Sequence, residues 1–175
     1  HPMYALAING SPRKGGNTEI LLQTALEPLA AAGWDTELVR IGGRDVRGCL
    51  ACGKCQEKKD RQCHGRTDDL NPILDKAFAA DAILLGSPTY FADLTAEAKA
   101  FLDRCGYVAL ANGGLLTGKI GAAVTDIGGM MSHAAIVCRE YGLPAVTGTG
   151  NASSRITTGM RLRVDGNDGT VTILE

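Results

Sequence analysis

The chain has 175 residues, 45 % of them apolar, and a formal net charge of −1. That length suits one sizeable domain and is short for two. The balance excludes the basic footprint of a nucleic-acid binder and a polybasic membrane patch, and no apolar stretch reaches the length of a membrane span. The apolar run after Met3 is too short for a signal peptide. Six cysteines without an export signal argue against disulfides and for metal or redox chemistry in a reducing compartment. The expected location is the cytoplasm.

Met3–Ile8 reads as a short buried strand that breaks into Asn9-Gly-Ser-Pro-Arg-Lys-Gly-Gly-Asn-Thr18. A helix starts near Asn17-Thr18, with Leu22, Ala25, Leu26 and Leu29 on one face; Pro28 should kink or shorten it. A Gly/Ser/Thr-rich loop opening a helix is an anion cradle, because the first N–H groups of the helix are unpaired and glycine lets the backbone approach. The loop lacks the Lys-Ser/Thr of a Walker A motif and the spacing of a dinucleotide turn. A single phosphate ester suits it better than a triphosphate, and an ordinary Gly-rich turn is the plain alternative.

Thr36–Ile41 is a second strand, followed by a cysteine-rich segment over 48–66. Cys49, Cys52 and Cys55 form C-x2-C-x2-C, and Cys63 follows. Three cysteines so spaced let one tight loop wrap three corners of a cubane [4Fe–4S] cluster, with the fourth ligand from further on. Lys54, Lys58, Lys59 and Arg61 would offset its negative charge. Zinc, held by four cysteines or with His64 replacing one, is the runner-up, and a reduced loop without metal is the third reading. Cys105 and Cys138 read as buried core thiols.

Thr67-Asp68-Asp69 reads as the start of a helix. Asp81–Ser87 is a third strand, followed by a helix around Thr95–Cys105. Ile120–Thr125 is a fourth strand, Ser132–Tyr141 a helix and Pro144–Thr147 a fifth strand. Such alternation implies an α/β doubly wound parallel sheet, whose ligands bind at the carboxyl ends of the strands. Leu162 and Val164, then Val171 and Ile173, alternate across Asp165-Gly-Asn-Asp-Gly169, a C-terminal β-hairpin. At the ligand edge Pro88-Thr89-Tyr90-Phe91 offers an aromatic pair opposite the phosphate-type loop. A planar heterocycle carrying one phosphate fits both, and FMN is the candidate.

Asn9–Leu22, Gly48–Cys55, Asp68-Asp69-Leu70 and Gly86–Phe91 together resemble the flavodoxin-like, NADPH-dependent FMN reductase and iron–sulfur flavoprotein family, over about residues 3–124. The resemblance implies a flavodoxin-like sheet of order 2-1-3-4-5. It implies FMN with its phosphate at Ser11, Arg13, Asn17 and Thr18 and its ring near Pro88, Thr89, Tyr90 and Phe91. It also implies a [4Fe–4S] cluster that exchanges electrons with the flavin, and flavin sites closed by a second subunit of a homodimer or higher oligomer. A small-molecule or protein electron donor and acceptor are the expected partners, with no nucleic acid and no membrane. The activity would be that of an NAD(P)H-dependent FMN oxidoreductase or an electron-transfer protein.

Thr125–Thr149, continuing through Gly159, Val164-Asp165-Gly166 and Gly169-Thr170-Val171, resembles the second half of the phosphohistidine swivelling domain of phosphoenolpyruvate-utilising enzymes. There His133 falls on the phosphorylated histidine. The chain therefore reads as a chimera within one α/β domain, 1–175: a flavodoxin-like segment over 3–124, completed by 125–175. Asp126, Gly128 and Gly129, after the fourth strand, are expected to form a third wall of the flavin site. The alternative functions are a phosphohistidine carrier fragment using His133, or a chimeric protein without turnover.

Overall fold

Four consecutive residues of one strand, Ala5, Leu6, Ala7 and Ile8, have no solvent exposure at all. A run buried on both faces belongs to the middle of a parallel sheet. That strand, β1 (Tyr4–Asn9), pairs in parallel with β2 (Asp35–Arg40) on one side and β3 (Ala82–Gly86) on the other, giving the order β2-β1-β3. The computed structural model describes residues 2–91, 93–120, 123–125, 144–147, 149–156 and 160–174. It divides into two compact units, 1–120 and 121–175.

In the first unit the alternation of side chains along β1 separates two cores. Leu6 and Ile8 pack with Leu74, Phe78, Phe101 and Val108, from α3 (Asn71–Ala79) and α4 (Ala96–Ala111). Ala5 and Ala7 face Leu22 and Leu26 of α1 (Asn17–Ala31). The small alanines let α1 lie close to the sheet. Burial of a side chain such as Leu6 or Ile8 contributes roughly 1.5–3 kcal/mol, and truncating Ile8 to alanine would cost about 2–5 kcal/mol.

α1 runs past Pro28 to Ala31 instead of stopping there. The proline removes one N–H near the end of the helix, and a Schellman closure follows directly. Gly33 (φ +85°) donates to the Ala30 carbonyl, and Trp34 to that of Leu29. α3 begins at Asn71, later than the expected Thr67-Asp68-Asp69 start, with Pro72 in its first turn. The Asp68 carboxylate accepts from Leu70 N at the helix start, as expected, and also takes Arg47 N and the Arg104 guanidinium. α4 continues to Ala111, and Thr95 caps it by accepting from Ala98 N. A short helix, α2 (Lys54–Lys58), lies within the cysteine segment, where no helix was expected. Ile120 forms a parallel bridge with Ala82, on β3.

In the second unit β4 (Ala123–Thr125) and β5 (Ala145–Thr147) pair in parallel. A short helix, α5 (Ala152–Arg155), precedes the hairpin of β6 (Arg161–Asp165) and β7 (Thr170–Leu174). Asp165 Oδ1 accepts from the backbone of Asn167 and Asp168, and Gly169 takes a left-handed φ of +65°, so the expected turn residues do form the turn. The expected helix over 132–141 lies outside the described residues.

Candidate functional site

The carboxyl ends of β1, β2 and β3 are knitted into one edge. Gly10 N donates to the Gly86 carbonyl at 2.7 Å, and Ile41 N and Gly42 N both donate to Asn9 O. Gly42 lies so close to the first loop that a Cβ there would fall 2.3–2.5 Å from backbone atoms of Gly10, Ser11 and Pro12. Ser11 is buried, its N–H on Asn9 Oδ1 at 2.8 Å, and its Oγ accepts from Arg13 N at 3.3 Å. Arg13 and Asn17 are exposed and Thr18 is half-buried. A Cβ on Gly86 would meet the Thr18 methyl and Leu22 at 2.9 Å, so glycine at the end of β3 lets the start of α1 come close.

Two observations fit this edge to an anionic ligand. Gly16 caps α1 without any side-chain hydrogen bond, leaving the helix start without a side-chain acceptor from its cap. Asn9, fully buried at the root of the loop, has an Nδ2 with no partner. A buried unpaired amide costs about 1–3 kcal/mol, a cost that a bound acceptor removes.

The aromatic loop is fastened to the phosphate-type loop by two hydroxyls that the sequence reading did not single out as site residues. Thr95 Oγ1 donates to the Gly10 carbonyl at 3.0 Å, and Thr95 N donates to Ser87 Oγ at 3.0 Å. The only sequence signal for Thr95 is its place as a helix cap. Pro88 is half-buried and Thr89 exposed. Tyr90 and Phe91 are 62 % and 97 % exposed, so neither is core packing of this unit.

Cys49, Cys52, Cys55 and Cys63 line one cavity of about 220 Å³, shared with Arg104 and Tyr107. Left-handed backbone at Ala51 (φ 52°) and Gly53 (φ 71°) turns the chain between the first three. Ala51 N donates to Cys49 Sγ at 3.3 Å. Cys49 and Cys52 are exposed, Cys55 is half-buried and Cys63 is buried. Burial pushes the Cys55 thiol up. Cys63 is pinned by exchange with Asn71, its N–H on Oδ1 at 2.8 Å and its carbonyl accepting from Nδ2 at 3.1 Å.

Among the described residues no three His, Cys, Asp or Glu side chains converge on one point as a single ion requires. The four thiols line one cavity, and thiolates are the donors that a [4Fe–4S] cluster or zinc takes. His64, the alternative zinc ligand, has its Nε2 on Asp60 at 2.8 Å. Cys105 is a core thiol as expected, with burial pushing it up to about 12. Cys138, Asp126, Gly128, Gly129 and His133 lie outside the described residues.

The sequence profile of the NADPH-dependent FMN reductase family matches residues 3–141. The chain belongs to that family. The FMN reductase match passes the expected boundary at 124 and takes in residues 125–141. An iron–sulfur flavoprotein of Methanocaldococcus jannaschii is 37 % identical over 122 residues, 70 % of this chain and 61 % of that protein. The chain thus spans about three fifths of the length of that relative. A rifampicin phosphotransferase of Streptomyces sviceus is 51 % identical over 55 residues, 31 % of this chain and 6 % of that protein. A structure of an NAD(P)H:quinone oxidoreductase from Methanothermobacter marburgensis has a TM-score of 0.57 at 16 % identity, covering 85 % of each chain, which shows a shared fold. The phosphate-type and aromatic loops of this FMN reductase family member sit together at the carboxyl edge of its first three strands. Among the described residues no helix is long and apolar enough to cross a membrane.

Proposed function

We propose that the chain is an FMN-binding redox protein of the iron–sulfur flavoprotein type. One observation carries this reading: a member of the FMN reductase family gathers four cysteines around one cavity in the same unit as its Gly/Ser/Thr-rich first loop. When bound, FMN supplies one- and two-electron chemistry, and a [4Fe–4S] cluster at Cys49, Cys52, Cys55 and Cys63 supplies single-electron transfer. Ser11, Arg13, Asn17 and Thr18 hold the phosphate through the helix start, two hydroxyls, an amide and a cation. Pro88, Thr89, Tyr90 and Phe91 cover the ring. The exposure of Tyr90 and Phe91 supports closure of the site by a second copy of the chain. The donor is an NAD(P)H-type or protein reductant.

The proposed fold is a single α/β domain over 1–175 with the flavodoxin-like order 2-1-3-4-5, of which the β2-β1-β3 part is the observed sheet. In this reading 125–175 derives from half of a phosphohistidine swivelling domain, and the short match to a rifampicin phosphotransferase is in keeping with that origin. The FMN reductase match through residue 141 favours the redox reading over a carrier role for His133. We place the protein in the cytoplasm, where unpaired thiols such as the five described cysteines persist.

Titration of FMN and riboflavin into wild type and Thr18→Val tests the phosphate assignment. Valine keeps the methyl packed toward Gly86 and removes the hydroxyl. FMN should weaken more than riboflavin; equal losses for both would place the phosphate elsewhere.

A further inference from the structure

We infer that Arg104 is a positioning residue for the cysteine centre, tying together the two ends of the cysteine segment and placing a cationic N–H donor on the sulfur of Cys63. The inference rests on the reading of the four cysteines as cluster ligands.

Arg104 comes from α4, 41 residues away from Cys63. Its side chain and that of Asp68 are each 1 % exposed. NH1 and NH2 meet the Asp68 carboxylate at 2.5 and 3.0 Å, NH1 also meets the Arg47 carbonyl at 2.9 Å, and Nε meets Cys63 Sγ at 3.2 Å. Asp68 Oδ2 in turn accepts from Arg47 N at 3.1 Å. Arg47 lies just before Cys49 and Asp68 just after Cys63, so one planar guanidinium closes the base of the whole segment.

Stability alone does not account for this arrangement. A buried ion pair is often no better for stability than apolar side chains of equal volume. An apolar side chain, however, cannot donate to sulfur. Lysine lacks the fixed fork that serves a carboxylate, a carbonyl and a thiolate in different directions at once. Hydrogen bonds to ligand sulfurs and local charge set cluster potentials. A thiolate-bound cluster becomes one unit more negative when it gains an electron. The Arg104 donor therefore favours the reduced state, and Asp68 offsets part of that bias.

The test uses the full chain, reconstituted anaerobically with iron and sulfide and titrated with dithionite against mediator dyes. Arg104→Gln should lower the midpoint potential and Asp68→Asn should raise it, with iron per chain unchanged. A packing role would lower the melting temperature of both variants without opposite shifts in potential. Should Arg104→Gln not fold, Arg104→Lys keeps the buried charge without the Nε donor, and its potential should still fall below wild type. Unchanged potentials, or shifts of the same sign in the Arg104 and Asp68 variants, would overturn the inference while leaving the cluster in place. Wild-type chain that takes up no iron and sulfide would remove the cluster reading and this inference with it.

Discussion

Thr95 Oγ1 donates to the carbonyl oxygen of Gly10 at 3.0 Å, joining two loops 85 residues apart in sequence. The same residue caps α4 through Ala98 N and holds Ser87 through its own N–H. One buried threonine thus fixes the distance between the phosphate-type loop and the aromatic loop.

Thr95→Val should therefore lose both a cap and a loop-to-loop bond. The expected cost is about 1–3 kcal/mol, from a lost cap and a buried carbonyl left without its donor. Urea melts would measure it, and FMN affinity should fall with stability. A variant as stable as wild type with unchanged FMN affinity would show that the two loops do not need this tie.

Gly42→Ala should be among the most damaging single-methyl changes in the chain. The added carbon would meet backbone atoms, which cannot rotate away. Overpacking of this kind costs typically 1–3 kcal/mol or more. Gly48→Ala is the control, since nothing lies within 4 Å of its Cβ position. Thermal melts of the two should differ clearly; similar melting temperatures would mean that the Gly42 backbone yields without cost.

Acid should weaken the first unit through Asp68. Burial works to raise this carboxyl, but the hydrogen bonds from Arg104 and the Arg47 N–H outweigh it and hold it below the usual carboxylate range. A carboxylate lowered in the folded state adds stability at all pH values above its unfolded value of about 3.9, and that contribution fades as pH falls from there through the lowered folded value. Denaturant melts between neutral pH and pH about 3 should show a steeper loss for wild type than for Asp68→Asn. Superimposable pH profiles would mean that Asp68 has no lowered folded value.

Much of this was legible from residue patterns. The unbroken apolar run of β1 announced a central parallel strand, and Asp165-Gly-Asn-Asp-Gly169 announced the hairpin, because both signals are local. The cysteine spacing announced a segment whose four thiols line one cavity. The tertiary ties were not legible. Arg104 sits in a helix that reads as amphipathic, and nothing in the one-dimensional pattern says that its guanidinium turns inward to Asp68 and Cys63. Asp68 reads as an acidic helix start and does accept Leu70 N there, but the distant arginine that shares its carboxylate leaves no local signal. Gly42, Asn9 and Thr95 gained their roles only when three strand ends met.

The most direct measurement is anaerobic purification of the full chain, reconstitution with FMN, iron and sulfide, and removal of unbound material, followed by a visible spectrum and assays of flavin, iron and sulfide. The account predicts retained FMN with its blue and near-ultraviolet bands. It also predicts a broad brown shoulder from iron and sulfide in equal amounts, bleached together with the flavin bands by dithionite. A colourless chain that retains neither flavin nor iron would contradict it.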